Sequence, residues 1–147
     1  LLPAGDAAAI GAACQSSPTR MFVLRGIDRV TGAERWGTEI STGFVCERWA
    51  QALRAGDPER YLDLSFDQRV TAHGIVLLLS DAQHQCVAHW IDPKDGRLLR
   101  SRPLGVACEA SARTRLQWQA DALWLHSGQT ALALDLATGE LRMRLRN

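Results

Sequence analysis

A short polar segment that ends in glycine occurs three times in this chain, each time between two apolar stretches. The copies occupy residues 27–32, 91–96 and 134–139, and each follows the pattern apolar-Asp-x-x-Thr/Asp-Gly. In such a segment the aspartate carboxylate accepts backbone N–H groups, and the glycine adopts the positive φ that closes a tight turn. The repeat therefore predicts three antiparallel hairpins of one design and a mainly β fold.

Apolar stretches flank each turn and extend the repeat to at least three strands in the later copies. The predicted strands are 21–27, 86–91 and 130–134 before the turns, 33–40, 97–104 and 140–145 after them, and 75–79 and 122–125 further upstream. With these strands the three repeats cover about residues 10–41, 70–105 and 116–146.

The spacing of the turn glycines predicts an insertion between the first two repeats. The last two glycines are 43 residues apart, as expected for propeller blades of roughly 40 to 50 residues, whereas the first two are 64 apart. The extra residues lie at about 43–64. Within them Val45, Trp49 and Leu53 fall at helical spacing, so we expect one helix near 44–55 in an otherwise β chain.

The length and charge of the chain limit its number of domains and the kinds of partner that it can bind. A chain of 147 residues, 46% of them hydrophobic, predicts a single domain over residues 1–147. The 17 basic and 16 acidic side chains are spread along the chain, which argues against nucleic acid or an anionic membrane surface as partner. No apolar run approaches the roughly 18 residues of a spanning helix, so we expect no membrane span.

The first turn and the residues after it resemble the repeat of quinoprotein-type (PQQ-like) β-propellers. In that family a blade ends with an Asp-x-x-Thr-Gly turn and a tryptophan that docks between blades, as in residues 28–32 followed by Glu34 and Trp36. The residues equivalent to Trp36 in the later copies are Arg100 and Met143. The resemblance thus implies three propeller-like blades with a docking tryptophan in one of them. Because the other two copies lack this tryptophan, regular packing between blades is in doubt.

Three blades predict an incomplete propeller, because closed propellers use typically four to eight blades. The sheets then form an open or compressed assembly, two chains pair as a homodimer, or a partner covers the exposed edge. Enzymes of the resembling family hold their quinone cofactor within a full ring, which three copies cannot build. We therefore expect no cofactor.

The four cysteines predict structural disulfides, because they are widely spaced and form no CxxC pair. Four cysteines allow three pairings, and the repeat favours one of them. Cys46 and Cys108 follow a turn glycine by 14 and 12 residues in similar contexts, while Cys14 and Cys86 precede or open the corresponding hairpins. The expected pairs are Cys14–Cys46 and Cys86–Cys108.

No arrangement of residues predicts catalysis or metal binding. Ser80, Asp81 and His84 share one short loop, where three side chains rarely reach the geometry of a triad. His84 and Cys86 point to one face of a strand and His89 to the other, so they cannot meet one ion. We expect His89 to be a packed strand histidine and the protein to be neither an enzyme nor a metal site.

Two polar loops at equivalent positions of the later repeats are the predicted binding surface. Firm apolar strands flank both loops, and rigid β scaffolds commonly present recognition residues in this way. We expect the two loops to lie on one side of the molecule. The predicted contact residues are Ser80, Asp81, Gln83, His84, Gln85, His126, Ser127 and Gln129.

Size, cysteines and the opening residues indicate an exported binder. The first nine residues fit either the start of a mature chain after a removed signal peptide or an arbitrary boundary of the sequence, and disulfides fit the periplasm. As a whole the chain resembles periplasmic immunity proteins that block peptidoglycan-cleaving cysteine amidases of the type VI secretion system. The resemblance implies that a loop occludes the effector's Cys/His site, and residues 80–85 are the first candidate. Ser80 or another side chain of this loop would then form a hydrogen bond with the catalytic histidine. The alternative is a propeller-like scaffold module of a cell-envelope assembly.

Overall fold

The computed structural model describes residues 2–4, 8–15, 21–41, 66–81, 83, 85–107 and 115–146. These residues form strands and turns and contain no helix, so the all-β prediction is confirmed. The helix expected near 44–55, within the insertion at 43–64, lies outside the described residues. The strands are β1 (Leu2–Ala4), β2 (Ala8–Gln15), β3 (Met21–Asp28), β4 (Glu34–Ser41), β5 (Phe66–Thr71), β6 (Gly74–Ser80), β7 (Gln85–Ile91), β8 (Leu98–Ala107), β9 (Arg115–Trp118), β10 (Ala122–Ser127), β11 (Thr130–Asp135) and β12 (Leu141–Arg146).

The strands form three four-stranded antiparallel sheets in which chain neighbours are sheet neighbours. Sheet 1 contains β1 to β4, sheet 2 contains β5 to β8, and sheet 3 contains β9 to β12. Each sheet includes one of the predicted repeats. The repeat is therefore a four-stranded meander, one strand longer than the sequence pattern alone required.

The three predicted turns join the third and fourth strands of their sheets and share one geometry. In each, the aspartate carbonyl accepts a hydrogen bond of 2.8 Å from the turn glycine, whose φ lies between 72° and 74°. The aspartate carboxylate accepts the N–H two residues later, from Val30, Lys94 and Ala137. Threonine or aspartate precedes each glycine because its side-chain oxygen accepts the N–H of the residue that follows the glycine.

Sheet 2 lies between the other two sheets. Its strand β6 is buried on both faces, as expected for a central strand made almost entirely of apolar residues. One face packs Ile75, Leu77 and Leu79 against sheet 1. The other face packs Val76 and Leu78 against sheet 3. Two apolar layers thus hold three sheets in series.

Sheet 1 contacts the turn of sheet 2 through one indole ring and one threonine hydroxyl. Trp36 Nε1 donates a hydrogen bond of 3.1 Å to the carbonyl of Pro93, and Thr38 donates to the carbonyl of Gly96. The ring lies between Gly26, its partner across β3 and β4, and Gly96. A methyl group on Gly26 or Gly96 would approach Trp36 Cδ2 to 2.8 or 2.7 Å, so only glycine fits at either position.

Sheet 2 contacts the turn of sheet 3 in a similar way, although the indole lies on a different strand. We call such a contact between a sheet and the turn of the next sheet a joint. Trp90 of β7 donates a hydrogen bond of 2.8 Å to the carbonyl of Leu136, which corresponds to Pro93 in the preceding turn. Arg100, opposite Trp90 on β8, lies over its ring and donates to the carbonyl of Ala137. The sequence comparison that put regular packing in doubt considered only the fourth strand of each sheet. In sheet 2, Trp90 on the third strand and Arg100 on the fourth strand occupy the positions that Gly26 and Trp36 hold in sheet 1.

Candidate functional site

The two predicted loops lie at the same end of the molecule, which we call the loop end. The loop between β6 and β7 closes at Gln85, whose register partner on β8 is Ala107. The carbonyl of Ala107 accepts a hydrogen bond of 3.0 Å from the hydroxyl of Ser127, which precedes the turn between β10 and β11. The edge of sheet 2 thus links both loops.

Asp81 organises the loop between β6 and β7. Its carboxylate Oδ1 accepts the backbone N–H groups of Gln83 and Gln85, each at 2.9 Å. Its own N–H donates to the carbonyl of Gln85 at 2.9 Å. Because these bonds occupy one carboxylate oxygen and fix the backbone, Asp81 positions the loop, and Gln83 is left exposed at its tip.

Three of the predicted contact residues project from the loop end into solvent. They are Gln83, His126 and Gln129. Asp81 and Gln85 are half-buried. His84 lies outside the described residues. The exposed side chains carry amide and imidazole groups, which can both donate and accept hydrogen bonds.

The two predicted serines are buried and support the loops from below. Ser80 ends β6 opposite Cys86 and has 3% of its surface exposed, while Ser127 has 9% exposed. A serine in this position stabilises the loop base and reaches a partner only if the loop moves. The exposed glutamines and His126 are therefore better placed than Ser80 for direct contact.

A disulfide bond fixes the base of the first loop. Cys86 is fully buried and disulfide-bonded, as the sequence predicted for this residue. Cys46 and Cys108 lie outside the described residues, so the pairings Cys14–Cys46 and Cys86–Cys108 stay predictions. The bond adds a covalent constraint to the hydrogen bonds that hold the loop end.

Sequence reasoning missed a second polar joint between sheets 2 and 3. Trp118 of β9 donates a hydrogen bond of 2.8 Å to the carboxylate of Asp67 on β5, and Arg69 lies 5.9 Å from the centre of the same indole. These residues belong to the first strand of each sheet, for which the repeat pattern gave no signal. This contact connects the edges of sheets 2 and 3 that lie opposite their fourth strands.

Paired charges also hold the turn of sheet 3. The N–H of Thr138 and the guanidinium of Arg142 lower the pKa of Asp135 to about 2, against the opposing effect of burial. The N–H groups of Thr31 and Val30 likewise hold the pKa of Asp28 below its usual value. Both carboxylates are therefore ionised at neutral pH, and they stabilise the turns by accepting backbone N–H groups.

His89 is a buried, uncharged strand histidine. Its Nδ1 lies 2.8 Å from the hydroxyl oxygen of Ser101, and 8% of its surface is exposed. Burial lowers its pKa to about 4. Among the residues that the structure describes, no three His, Cys, Asp or Glu side chains are grouped closely enough to hold a metal ion.

Protonation of His89 is expected to destabilise the fold in mild acid. The unfolded chain binds the proton near pH 6.5 and the folded chain only near pH 4, so stability falls as the pH drops through this window, by about 3 kcal/mol in total. Urea titrations from pH 7 to pH 4 measure the slope, which His89→Gln should flatten. The exposed His73 provides the matched variant, His73→Gln, which should keep it; equal slopes in both variants would contradict the prediction.

Comparisons with known proteins add nothing to the geometry of the site. Neither a protein-family model nor a curated protein matches the chain. Within the described ranges no helix is long and apolar enough to cross a membrane.

Proposed function

We propose that this chain is a non-enzymatic periplasmic immunity protein that neutralises a secreted peptidoglycan amidase by covering its Cys/His active site with the loop end. The observation that carries the proposal is the hydrogen bond from Ser127 to Ala107, because it joins the two polar loops into one surface. A surface of two loops on a rigid base reaches into a concave active site with little loss of conformational freedom on binding.

The chemistry of the exposed side chains supports an amidase as the partner. The amide groups of Gln83 and Gln129 and the imidazole of His126 offer hydrogen-bond donors and acceptors, suited to a catalytic cysteine and histidine. Asp81 and the buried disulfide of Cys86 keep the loop between β6 and β7 in one shape. Pre-organisation of this kind favours tight binding of one partner.

The arrangement of the sheets also enters the proposal. We infer that the three sheets are propeller-like blades in an incomplete ring. The two joints between consecutive sheets, each an indole N–H bonded to the carbonyl after a turn aspartate, support this arrangement. In such a ring the loops of successive blades lie on one face, which places both predicted loops toward one partner.

The proposal is tested by capture from the native periplasm followed by an activity assay. The oxidised chain should retain one protein that releases amines from purified peptidoglycan, and a one-to-one amount of the chain should abolish that activity. The double substitution His126→Ala with Gln129→Ala should weaken the complex by roughly 2 kcal/mol or more.

The control variant is His73→Ala in the hairpin between β5 and β6, at the opposite end of sheet 2. It should bind as the unmodified chain does. Equal weakening by both variants would place the contact elsewhere. Recovery of assembly-machinery proteins alone, with affinity spread over a broad edge, would support the scaffold function and overturn the immunity proposal.

A further inference from the structure

The turn of sheet 1 has the same geometry as the turns of sheets 2 and 3, but no other sheet of the described residues packs on it. The Pro93 and Leu136 carbonyls each accept an indole N–H, and Gly96 and Gly139 are each covered by a side chain of the preceding sheet. In sheet 1 a Cβ placed on Gly32 would meet no described residue within 4 Å other than its own chain neighbours. Within the described part of the chain, the turn has no covering sheet.

Val30 makes this turn an apolar surface. It is 94% exposed, the most exposed of the large hydrophobic residues that the structure describes. Its equivalents in the other turns are Lys94 and Ala137. The carbonyl of Ala137 is the group that Arg100 of sheet 2 contacts, so Val30 stands where an outer-strand side chain of another sheet would dock.

Sheet 3 carries the complementary half of the joint. Its cross-strand row is Trp124, Ala133 and Met143, which corresponds to the rows that contain Trp36 and Trp90. Met143 occupies the position of Arg100 and is 45% exposed, and Leu145 beside it is 54% exposed. The indole of Trp124 is half-buried and bonds to no acceptor in the described residues.

We propose that two copies of this chain associate, with sheet 3 of each copy docked on the turn of sheet 1 of the other. The same joint already connects sheets 1 and 2 and sheets 2 and 3, so the contact would continue an interface of known geometry. It would bring Met143 against Val30, as Arg100 lies against Ala137. Two copies supply six sheets, within the range of typically four to eight that closed rings use.

The distribution of exposed apolar residues favours a second copy as occupant. Three of the six exposed large hydrophobics in the described ranges, Val30, Met143 and Leu145, lie on the two halves of this joint. A contact between different surfaces of identical chains either closes into a ring or grows into a filament. Closure after two copies satisfies both halves in each chain, and neither Val30 nor Met143 belongs to the predicted loops, so the contact does not depend on the proposed effector.

The experiment is light scattering on the purified oxidised 147-residue chain over a range of concentrations. We expect a species of twice the 16.2 kDa chain mass. Val30→Glu should raise the dimer dissociation constant on the order of tenfold or more, because the carboxylate would be buried against Met143. Val70→Glu is the matched control, since Val70 is also exposed, at 39%, but lies outside the joint, and it should leave the dimer intact.

A double variant tests the pairing directly. Val30→Glu combined with Met143→Arg should restore the dimer, whereas Met143→Arg alone should weaken it, because only the double variant places opposite charges together. Thermal unfolding of each variant in the monomeric concentration range should match that of the unmodified chain. A monomer at all concentrations, a series of larger species, or no recovery in the double variant would overturn the proposal.

Discussion

Replacing Trp90 with alanine is expected to lower the free energy of unfolding by about 3–5 kcal/mol. Trp90 is 2% exposed and packs in the apolar layer between sheets 2 and 3. Its removal leaves a cavity there, leaves the buried carbonyl of Leu136 without its indole partner, and withdraws the ring beneath Arg100. Chemical denaturation followed by circular dichroism measures the change.

The variant Trp90→Phe separates packing from hydrogen bonding. It keeps an aromatic ring beneath Arg100 but has no N–H for Leu136, so its cost should reflect mainly an unpaired buried carbonyl, about 1–3 kcal/mol. A loss of less than about 1 kcal/mol for Trp90→Ala would show that the sheets are held elsewhere, for example by the bond between Trp118 and Asp67.

The turns were predictable from sequence because their determinants are local. An aspartate that accepts nearby N–H groups and a glycine with positive φ identify the turn wherever it occurs, and all three copies formed as expected. The strands beside them followed from apolar runs. β6 needed no alternation, since both of its faces are buried.

The joints between sheets were harder to predict, because they depend on residues far apart in sequence. Trp36 and Pro93 are 57 residues apart, and Trp90 and Leu136 are 46 apart. An alignment by position in the repeat compares Trp36 with Arg100. It overlooks Trp90, which reaches the same kind of carbonyl from the neighbouring strand.

The common end of the two loops was predictable from the sequence, but the burial of each residue there was not. Polar loops between apolar strands located the loop end, and the repeat put both loops on one side. Burial then divided the residues: Ser80 and Ser127 support the backbone, while Gln83 and His126 face solvent. A hydroxyl close to the end of a strand carries no sequence signal that separates these two roles.

The joints also connect stability to the proposed function. The loop end depends on the edge of β8, where Ala107 receives Ser127, and β8 also carries Arg100 of the second joint. A change that separates sheets 2 and 3 should therefore disturb the relation between the two loops. Substitutions at the joints and at the loops are expected to affect binding in different ways, the first through stability and the second with the fold intact.

The turn glycines give the second large effect, and they form a series with nearly equal φ. Gly96→Ala is expected to cost about 2–5 kcal/mol, because a left-handed alanine is strained by roughly 1–2 kcal/mol and its methyl would lie 2.7 Å from Trp36 Cδ2 and 2.8 Å from Thr38 Oγ1. Gly32→Ala has the same strain and open space around it, so only the first cost, about 1–2 kcal/mol, applies.

Gly139→Ala should fall between the two, because its methyl would meet the side chain of Arg100, which can move aside more easily than an indole ring. The combination of Gly96→Ala with Trp36→Ala isolates the steric part, since the methyl then meets no ring. Its cost should be less than the sum of the two single variants, as expected for residues in contact. Equal costs at Gly32 and Gly96, or strict additivity of the pair, would mean that the ring does not pack on the turn and that glycine is needed there only for its φ.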